Sequence, residues 1–284
     1  MRTVLVTGAN GQLGSRLMEH TDQSALRIVG FDRDELDITS SHSIGEALKK
    51  HQPHVVINAA AYTAVDRAEE ESEQAHAINA KGPRLLADAC AAHGVDLIHI
   101  STDYVFDGTL DRPYVPSDVP NPTGVYADSK RAGELAVETT TGVRWWVVRV
   151  AWLCDTRGHN FMQTMLRLGR SGKALRVVND QHGAPTFARP FAEALLKLAA
   201  QPERIPSGIW HYGPQGPTTW YGFAQAIFEG YGLDVELAPC TTADYPTPAK
   251  RPAYSYLDGK PFADALQLPQ LHWKEALRHE IEHG

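Results

Sequence analysis

The chain has 284 residues, of which 43% are hydrophobic and 21% charged, and this ordinary globular composition excludes a disordered or fibrous protein. The formal net charge of −7 comes without a basic tract, so a nucleic-acid polymer would be repelled rather than bound. No apolar run reaches the ~20 residues that cross a bilayer. Strand-like sequence from Arg2 onward leaves no room for a signal peptide, and three widely spaced cysteines argue against a disulfide framework. We therefore expect a cytoplasmic enzyme.

The first half of the sequence alternates apolar runs with segments of helical length. These patterns predict strands at residues 3–6, 27–31, 54–61, 95–101 and 143–150, and helices at 13–20, 43–51 and 69–93. Strands that are apolar on both faces and separated by helices indicate a parallel sheet covered by helices on both sides. The predicted fold class is α/β, with a Rossmann-like, doubly wound parallel sheet.

The pattern loosens after about residue 153. Helices are predicted at 161–169, 189–200 and 220–231, with a proline-rich stretch at 202–217 and a rigid loop at 245–252. We expect residues 1–153 to form a dinucleotide-binding domain. Residues 154–284 would form a smaller C-terminal substrate-binding lobe, part of which returns to the sheet.

A glycine-rich turn follows the first strand and opens a helix, with the sequence Thr-Gly-Ala-Asn-Gly-Gln-Leu-Gly at residues 7–14. Its three glycines allow a tight turn, a close approach to a pyrophosphate and close packing of helix against strand. Asp32, at the end of the second strand, suits a ribose 2′-hydroxyl, whereas the adjacent Arg33 suits a 2′-phosphate. The turn therefore predicts a dinucleotide but leaves NADH and NADPH open.

Two weaker signals for the cofactor lie further along the chain. They are the pair Asp37 and Ile38, and the three alanines 59–61 at the end of the third predicted strand. Small side chains at the carboxyl end of a parallel strand let a cofactor lie against the backbone. Simple tight packing explains these residues equally well.

Tyr126 and Lys130 are four residues apart, which places them on one face of a helix. A phenol with an ordinary pKa of ~10 is a poor acid–base group at neutral pH. A neighbouring ammonium and a positively charged nicotinamide ring favour the phenolate and lower that pKa. Thr102 ends the fourth predicted strand, and its hydroxyl can bind a substrate carbonyl beside Tyr126. Together these residues predict a site for carbonyl reduction.

The last residues contain a competing motif. His279-Glu280-Ile281-Glu282-His283 fits the His-Glu-x-x-His zinc pattern, but only Gly284 follows to supply a third ligand. Helix ends also fray. We therefore interpret this segment as a solvated amphipathic tail and expect no metal site.

The glycine turn together with Tyr-x-x-x-Lys resembles the extended short-chain dehydrogenase/reductases. Within that superfamily, four further stretches resemble the dTDP-4-dehydrorhamnose reductases. They are Val-Ile-Asn-Ala-Ala-Ala-Tyr-Thr-Ala-Val-Asp at 56–66, Ser-Thr-Asp-Tyr-Val-Phe at 101–106, Asn-Asp-Gln-His-Gly-Ala-Pro-Thr at 179–186, and Tyr-Pro-Thr-Pro-Ala-Lys-Arg-Pro at 245–252. The resemblance extends from residue 3 to about residue 257.

This resemblance implies a role for each matching residue. Tyr126 would be the proton donor, Lys130 its partner and a cofactor ligand, and Thr102 the hydroxyl that orients the C4 carbonyl. The implied cofactor-binding residues are Gly8, Asn10, Gly11, Gln12, Leu13, Gly14, Asp32, Asp37, Ile38, Ala59, Ala60, Ala61, Tyr126 and Lys130. The implied substrate-binding residues are Thr102, Asp103, Tyr104, Trp152, Asn160, Gln181 and Arg251. A guanidinium such as that of Arg251 also matches diphosphate oxygens in a bidentate way.

The sequence departs from this family at one position. Some members form magnesium-bridged dimers through an acidic side chain just after the Gly-Ala-Pro-Thr stretch. Here Phe187-Ala188-Arg189-Pro190 follows, and the cation of Arg189 would repel Mg²⁺. We therefore expect a monomer or a metal-independent homodimer.

The implied activity is NADPH- or NADH-dependent reduction of dTDP-4-dehydro-L-rhamnose to dTDP-L-rhamnose, a step in making cell-surface polysaccharide. One alternative is a sister reductase of another nucleotide-linked 4-keto-6-deoxy sugar. A second is a non-catalytic, dinucleotide-binding subunit resembling the regulatory subunit of methionine adenosyltransferase. The presence of Thr102, Tyr126, Lys130 and Arg251 favours an active enzyme.

Overall fold

The computed structural model describes residues 1–19 and 26–284. Apolar runs form its central strands, which are largely buried, whereas the two edge strands of the main sheet are mostly part-buried. In chain order the strands are β1 (Arg2–Thr7), β2 (Leu26–Phe31), β3 (Val55–Asn58), β4 (Asp96–Thr102), β5 (Trp145–Val150), β6 (Leu153–Cys154), β7 (Leu175–Val178), β8 (His182–Gly183), β9 (Thr186–Phe187), β10 (Gly208–Tyr212), β11 (Thr218–Thr219) and β12 (Leu237–Cys240).

The main sheet of the described residues has six strands in the order β10-β5-β4-β3-β1-β2, and all neighbours are parallel. The predicted α/β fold with a doubly wound parallel sheet is confirmed. The edge strand β10 comes from the second half of the chain and lies within the proline-rich stretch at 202–217. The division of the chain at residue 153 stays a prediction. The short strands pair as β8 with β11, β7 with β12 and β6 with β9.

The helices cover both faces of the sheet and continue through the second half of the chain. They are α1 (Gln12–Met18), α2 (Ser41–His51), α3 (Val65–Ala68), α4 (Ser72–His76), α5 (Gly82–His93), α6 (Val125–Glu138), α7 (Phe161–Gly169), α8 (Ala188–Ala200), α9 (Trp220–Gly230), α10 (Lys260–Leu266) and α11 (Trp273–His283). Across residues 1–19 and 26–284, no helix combines the length and the apolar character that crossing a membrane requires.

Alternation along the strands builds two core layers, because successive side chains of a strand point to opposite faces. On β1, Val4 and Val6 pack into the layer formed with α1, α8 and α10. Leu5, between them, packs into the layer formed with α2, α5 and α6. A third cluster joins α7, α9 and α11 in the second half. The two layers hold the sheet between the helices, and the candidate site lies at the carboxyl ends of its strands.

The strand order places a topological switch point between β1 and β3. From β1 the chain runs to β2 on one side, and β3 then lies on the other side of β1. Open α/β sheets bind ligands outside the carboxyl ends of the strands at such a point. The glycine turn after β1 and the three alanines after β3 meet here.

Two element predictions are wrong in part. The helix predicted at 69–93 is divided into α4 and α5 by a π-helical turn at Ala77–Lys81. The buried side chain of Asn79 in this turn bonds the backbone of Tyr62 and donates to the Ser129 hydroxyl of α6, at 3.0 Å. The strand predicted at 54–61 ends at Asn58, because the chain then turns and Ala60 N donates to Thr7 Oγ1 at 3.3 Å.

The two ends of the chain also differ from prediction. The first helix was predicted at 13–20, whereas α1 is described at Gln12–Met18 and His20 lies outside the described residues. The tail predicted to be solvated is the end of α11. Its Glu280 is only 2% exposed, because this carboxyl group packs against two arginines.

Candidate active site

The glycine turn is shaped by contacts that leave no room for side chains. Gly8 has a φ of +66°, and a Cβ there would lie 2.9 Å from the backbone of Ala60. A Cβ at Gly14 would lie 2.0 Å from the carbonyl oxygen of Gly8. Gly11 N donates to that same oxygen at 3.0 Å. The turn therefore lies directly against the alanines that follow β3, and only small residues fit at this contact.

Two cavities meet at this turn. The larger, of about 690 Å³, contains these predicted residues: Asn10, Gly11, Gln12, Leu13, Ala59, Ala61, Thr102, Asp103, Tyr104, Tyr126, Lys130, Trp152 and Asn160. The smaller, of about 390 Å³, is lined by Gly8, Gly11, Asp32, Asp37, Ile38, Ala59, Ala60 and Ala61. The cavities share Gly11, Ala59, Ala61 and Thr63, so a long ligand can occupy both.

The acidic residues of the smaller cavity have different surroundings. The carboxylate of Asp32 accepts a hydrogen bond from Asn10 Nδ2 at 2.8 Å. Asp37 instead accepts from the backbone and the hydroxyl of Thr39, at 2.8 and 2.7 Å, and these bonds hold the pKa of Asp37 below its usual value. Asp32 thus remains a candidate for contact with a ribose, while Asp37 shapes the loop that presents Ile38.

Tyr126 and Lys130 occupy the same face of α6, one turn apart, and both line the larger cavity. Thr102 reaches that cavity from the carboxyl end of β4. The ring of Tyr126 meets the ring of Tyr104 edge to face, with centroids 5.5 Å apart. The structure therefore brings together the three residues predicted to act on a carbonyl.

Burial controls the protonation of this group. It raises the pKa of the Tyr126 phenol to about 12, and the nearby Thr102 hydroxyl offsets this only in part. Burial also lowers the pKa of the Lys130 ammonium to about 8, against the charge of Glu134 one turn further along α6. The lowering of the Tyr126 pKa that we expect from Lys130 together with a nicotinamide ring stays a prediction. In the protein alone Tyr126 is a phenol at neutral pH, the form that a proton donor requires.

The Thr102 hydroxyl has two partners within the protein. It donates to Asp103 Oδ1 at 2.9 Å and accepts from the backbone N–H of Tyr104 at 3.2 Å. Asp103 is 2% exposed, and burial raises its pKa to about 6. At neutral pH the Thr102 hydroxyl therefore donates its hydrogen bond to an ionised carboxylate. The hydroxyl has to rotate before it can donate to a ligand.

An aromatic wall closes one side of the larger cavity. Trp152 stacks on Trp220, with ring centroids 3.6 Å apart and planes within 11°. Trp152 has a φ of +49°, an uncommon conformation for a bulky residue. A Cβ on Gly183 would lie 2.6 Å from the Trp152 ring, so glycine is required there. Sequence reasoning missed Trp220, because a tryptophan opening an amphipathic helix looks like a core residue.

The remaining predicted substrate residues have partners of their own. Asn160 caps α7 by accepting from Gln163 N at 3.1 Å. Gln181 lies behind the aromatic wall, where its amide oxygen accepts from Trp220 Nε1 at 3.1 Å. Arg251 pairs with Asp66, with Nη2 and Oδ2 2.7 Å apart. Gln181, Arg251 and Gly14 do not line the two cavities described above.

The surroundings of Arg189 do not suit a magnesium ion. Its Nε lies 3.9 Å from Glu280 Oε1, and Arg16 Nη2 lies 3.7 Å from the same oxygen. Two guanidinium cations thus face the carboxyl group that a divalent cation would need. In residues 1–19 and 26–284, no three or more His, Cys, Asp or Glu side chains are grouped to hold a metal ion.

A doubly wound parallel sheet, a glycine turn at its switch point and a Tyr-x-x-x-Lys helix beside a strand-end threonine define an oxidoreductase of the short-chain dehydrogenase/reductase type. The family model described as "RmlD substrate binding domain" matches residues 1–284. The chain belongs to this family.

Individual relatives match over nearly the full length. The chain is 42% identical to a dTDP-4-dehydrorhamnose reductase of Streptomyces griseus, over 96% of this chain and 91% of that protein. It is 38% identical to the spore coat polysaccharide biosynthesis protein SpsK of Bacillus subtilis, over 99% and 98%. The crystal structure of dTDP-4-dehydrorhamnose reductase from Bacillus anthracis in complex with NADP matches with a TM-score of 0.93 at 35% identity, covering 100% of this chain and 99% of that one.

Proposed function

We propose that the protein reduces the C4 carbonyl of dTDP-4-dehydro-L-rhamnose with a nicotinamide cofactor, giving dTDP-L-rhamnose. The observation that carries this proposal is the convergence of Thr102, Tyr126 and Lys130 in a cavity continuous with the glycine turn. The names of full-length relatives at 38–42% identity support the sugar nucleotide as substrate and polysaccharide synthesis as its setting.

The residues at the switch point fit a dinucleotide. Gly8 and Gly14 let the turn pack tightly on the alanines after β3 and on its own helix, since a Cβ at either position would collide with backbone atoms. The alanines after β3 leave the backbone open to a flat ligand. Asn10, Gly11, Gln12 and Leu13 would hold the pyrophosphate. NADPH is the cofactor we propose, since Arg33 beside Asp32 suits a 2′-phosphate and the Bacillus anthracis structure contains NADP. When bound, the nicotinamide supplies the hydride.

Tyr126 would deliver the proton of the reduction. Hydride transfer to C4 leaves negative charge on the carbonyl oxygen, and this charge has to be neutralised as it forms. Tyr126 holds its proton at neutral pH, since a phenol has a pKa of ~10 in water and burial raises that of Tyr126 further, to about 12. The negative oxygen is a stronger base than a ketone and can take that proton.

Thr102 would donate a hydrogen bond to the carbonyl oxygen at C4 of the substrate. Its hydroxyl donates to Asp103 in the protein alone and would turn to the substrate carbonyl on binding. Tyr104 N–H donates to the Thr102 oxygen and so keeps that atom in place while the proton turns. This arrangement makes Thr102 an oriented donor rather than a general acid.

The rest of the substrate would extend from this point toward the second half of the chain. Trp152 and Tyr104 would contact the sugar, and Asn160, Gln181 and Arg251 would bind the nucleotide diphosphate. Of these, Trp152, Tyr104 and Asn160 line the larger cavity, whereas Gln181 and Arg251 lie beyond its lining. A guanidinium fork matches diphosphate oxygens in a bidentate way, which supports the assignment of Arg251.

The proposal is tested by following the loss of NADPH absorbance with dTDP-4-dehydro-L-rhamnose, with NADH in a parallel assay. NMR of the product then identifies the configuration at C4, which separates this activity from a sister reductase. Turnover with neither cofactor, in a protein that binds the dinucleotide, would contradict the proposal and favour a regulatory subunit. A cytoplasmic location and a monomer or metal-independent homodimer stay predictions.

A further inference from the structure

Asp66 and Arg251 form a closed set of hydrogen bonds between distant parts of the chain. Asp66, on α3, accepts from Arg251 Nη2 through Oδ2 at 2.7 Å and from the backbone N–H of Ala249 through Oδ1 at 3.1 Å. Arg251 Nη1 donates to the carbonyl oxygen of Ala249 at 3.1 Å. One carboxylate therefore fixes both the guanidinium and the backbone of the loop that carries it.

This set of bonds lies beside the larger cavity. Val65, next to Asp66, lines that cavity, as does Tyr104. The charge of Arg251 lowers the pKa of the half-buried Tyr104 phenol, and the charge of Asp66 raises it. The pair is thus close to the ring that contacts Tyr126, and 18% of the Arg251 side chain is exposed.

We propose that Asp66 is a positioning residue for the sugar-nucleotide diphosphate: it sets the guanidinium of Arg251 and the loop at 245–252 in the geometry that binds the diphosphate. This inference rests on the proposed function, in which Arg251 meets that group. A guanidinium has five N–H donors, and the bonds to Asp66 and Ala249 leave donors free for a ligand. A guanidinium that is already held by hydrogen bonds also loses less side-chain entropy on binding a ligand than a free arginine does.

The competing possibility is that Asp66 weakens binding of the diphosphate. A carboxylate next to a polyanion repels it, and an arginine bound to an aspartate would have to leave it first. Under that possibility, removing Asp66 would strengthen diphosphate binding. The two possibilities therefore predict opposite signs for one measurement.

The experiment compares the dissociation constants of dTDP and thymidine for the full-length protein and for Asp66→Ala, by calorimetry. We expect the Asp66→Ala change to weaken dTDP about tenfold, the scale of one lost charge-assisted hydrogen bond, and to leave thymidine unchanged. The matched control is Asp88→Ala, which breaks an exposed arginine–aspartate pair on α5. Unchanged or tighter dTDP binding by Asp66→Ala would overturn the inference.

A double-mutant cycle with Arg251→Ala separates positioning from general loss of structure. If Asp66 acts through Arg251, the double variant binds dTDP about as weakly as Arg251→Ala alone. Additive losses would overturn the inference. In steady-state assays Asp66→Ala should raise KM for the keto sugar with kcat nearly unchanged. Asp66→Asn keeps one of the two acceptor oxygens and loses the charge, so its KM should lie between those of the wild type and Asp66→Ala. Normal wild-type turnover together with an unchanged Asp66→Ala KM would reject this inference and leave the proposed function standing.

Discussion

The Nζ atom of Lys130 lies 2.7 Å from the backbone carbonyl oxygen of Ile100, and the lysine is only 3% exposed. The catalytic helix α6 is thereby tied to the central strand β4 at the back of the candidate site. An ammonium has three N–H donors, so two remain for a cofactor hydroxyl and the neighbouring phenol. This bond orients Lys130 before any ligand binds.

The charge of Lys130 should give cofactor binding a pH dependence. Burial lowers its pKa to about 8, so the ammonium is present below that pH and is lost as pH rises through it. We therefore expect the affinity for NADPH to fall above about pH 8. Lys130→Met should lower both affinity and kcat and remove this dependence, whereas the exposed Lys173→Met should behave as wild type. A Lys130→Met enzyme with the wild-type pH profile would exclude this role. The measurement is a fluorescence titration with NADPH across the pH range.

Removing the Thr102 hydroxyl should slow the chemical step. Thr102→Val keeps the branched shape in β4 but loses the donor to the substrate oxygen, so kcat should fall about 10²-fold. Thr102→Ser keeps the hydroxyl and should stay within a few-fold of wild type. Single-turnover rates with saturating NADPH measure this step directly. Equal losses in both variants would show that the methyl group, not the hydroxyl, matters.

The glycine turn should not tolerate even one added carbon at Gly14. A Cβ there would lie 2.0 Å from the carbonyl oxygen of Gly8, which would push the start of α1 away from the turn that is proposed to bind the pyrophosphate. We expect Gly14→Ala to weaken NADPH binding by at least about tenfold. Gly45→Ala on α2 is the matched control, since its Cβ meets no atom within 4 Å, and it should stabilise the helix by about 0.5–1 kcal/mol. Equal NADPH affinity in the two variants would argue against cofactor binding at this turn.

The oligomeric state should not respond to a chelator. Arg16 and Arg189 both face the Glu280 carboxyl group, and these two cations would repel a bridging metal ion there. Light scattering before and after addition of EDTA should give the same mass, whether monomer or dimer. Dissociation on adding EDTA, reversed by Mg²⁺, would contradict this account.

Local patterns in the sequence were enough to predict most of the fold. The apolar runs predicted β1 to β5, because strands buried on both faces need continuous apolar sequence. Tyr126 and Lys130 meet on one face because helical spacing alone puts them there. The π-helical turn was not predictable, since it depends on Asn79 bonding to Tyr62 and Ser129 in other segments.

What the sequence did not show depends on contacts between distant residues. The Asp66–Arg251 pair joins positions that no local spacing relates. Glu280 was expected in solvent, and it is buried because Arg16 and Arg189 come from elements far away in the chain. Trp220 enters the site by stacking on Trp152, whose left-handed backbone no pattern indicated. Such contacts become visible only once the chain is folded.

The central claim is that Tyr126 donates the proton to the reduced carbonyl. Tyr126→Phe keeps the ring that packs against Tyr104, so folding and NADPH binding should be retained. General acid catalysis contributes about 10²–10⁴-fold, so kcat for dTDP-4-dehydro-L-rhamnose should fall by that factor. The direct measurement is kcat of the Tyr126→Phe variant with NADPH affinity determined on the same sample. A loss of about 10²-fold or more with unchanged NADPH binding is the predicted result, and turnover within a few-fold of wild type would contradict the mechanism.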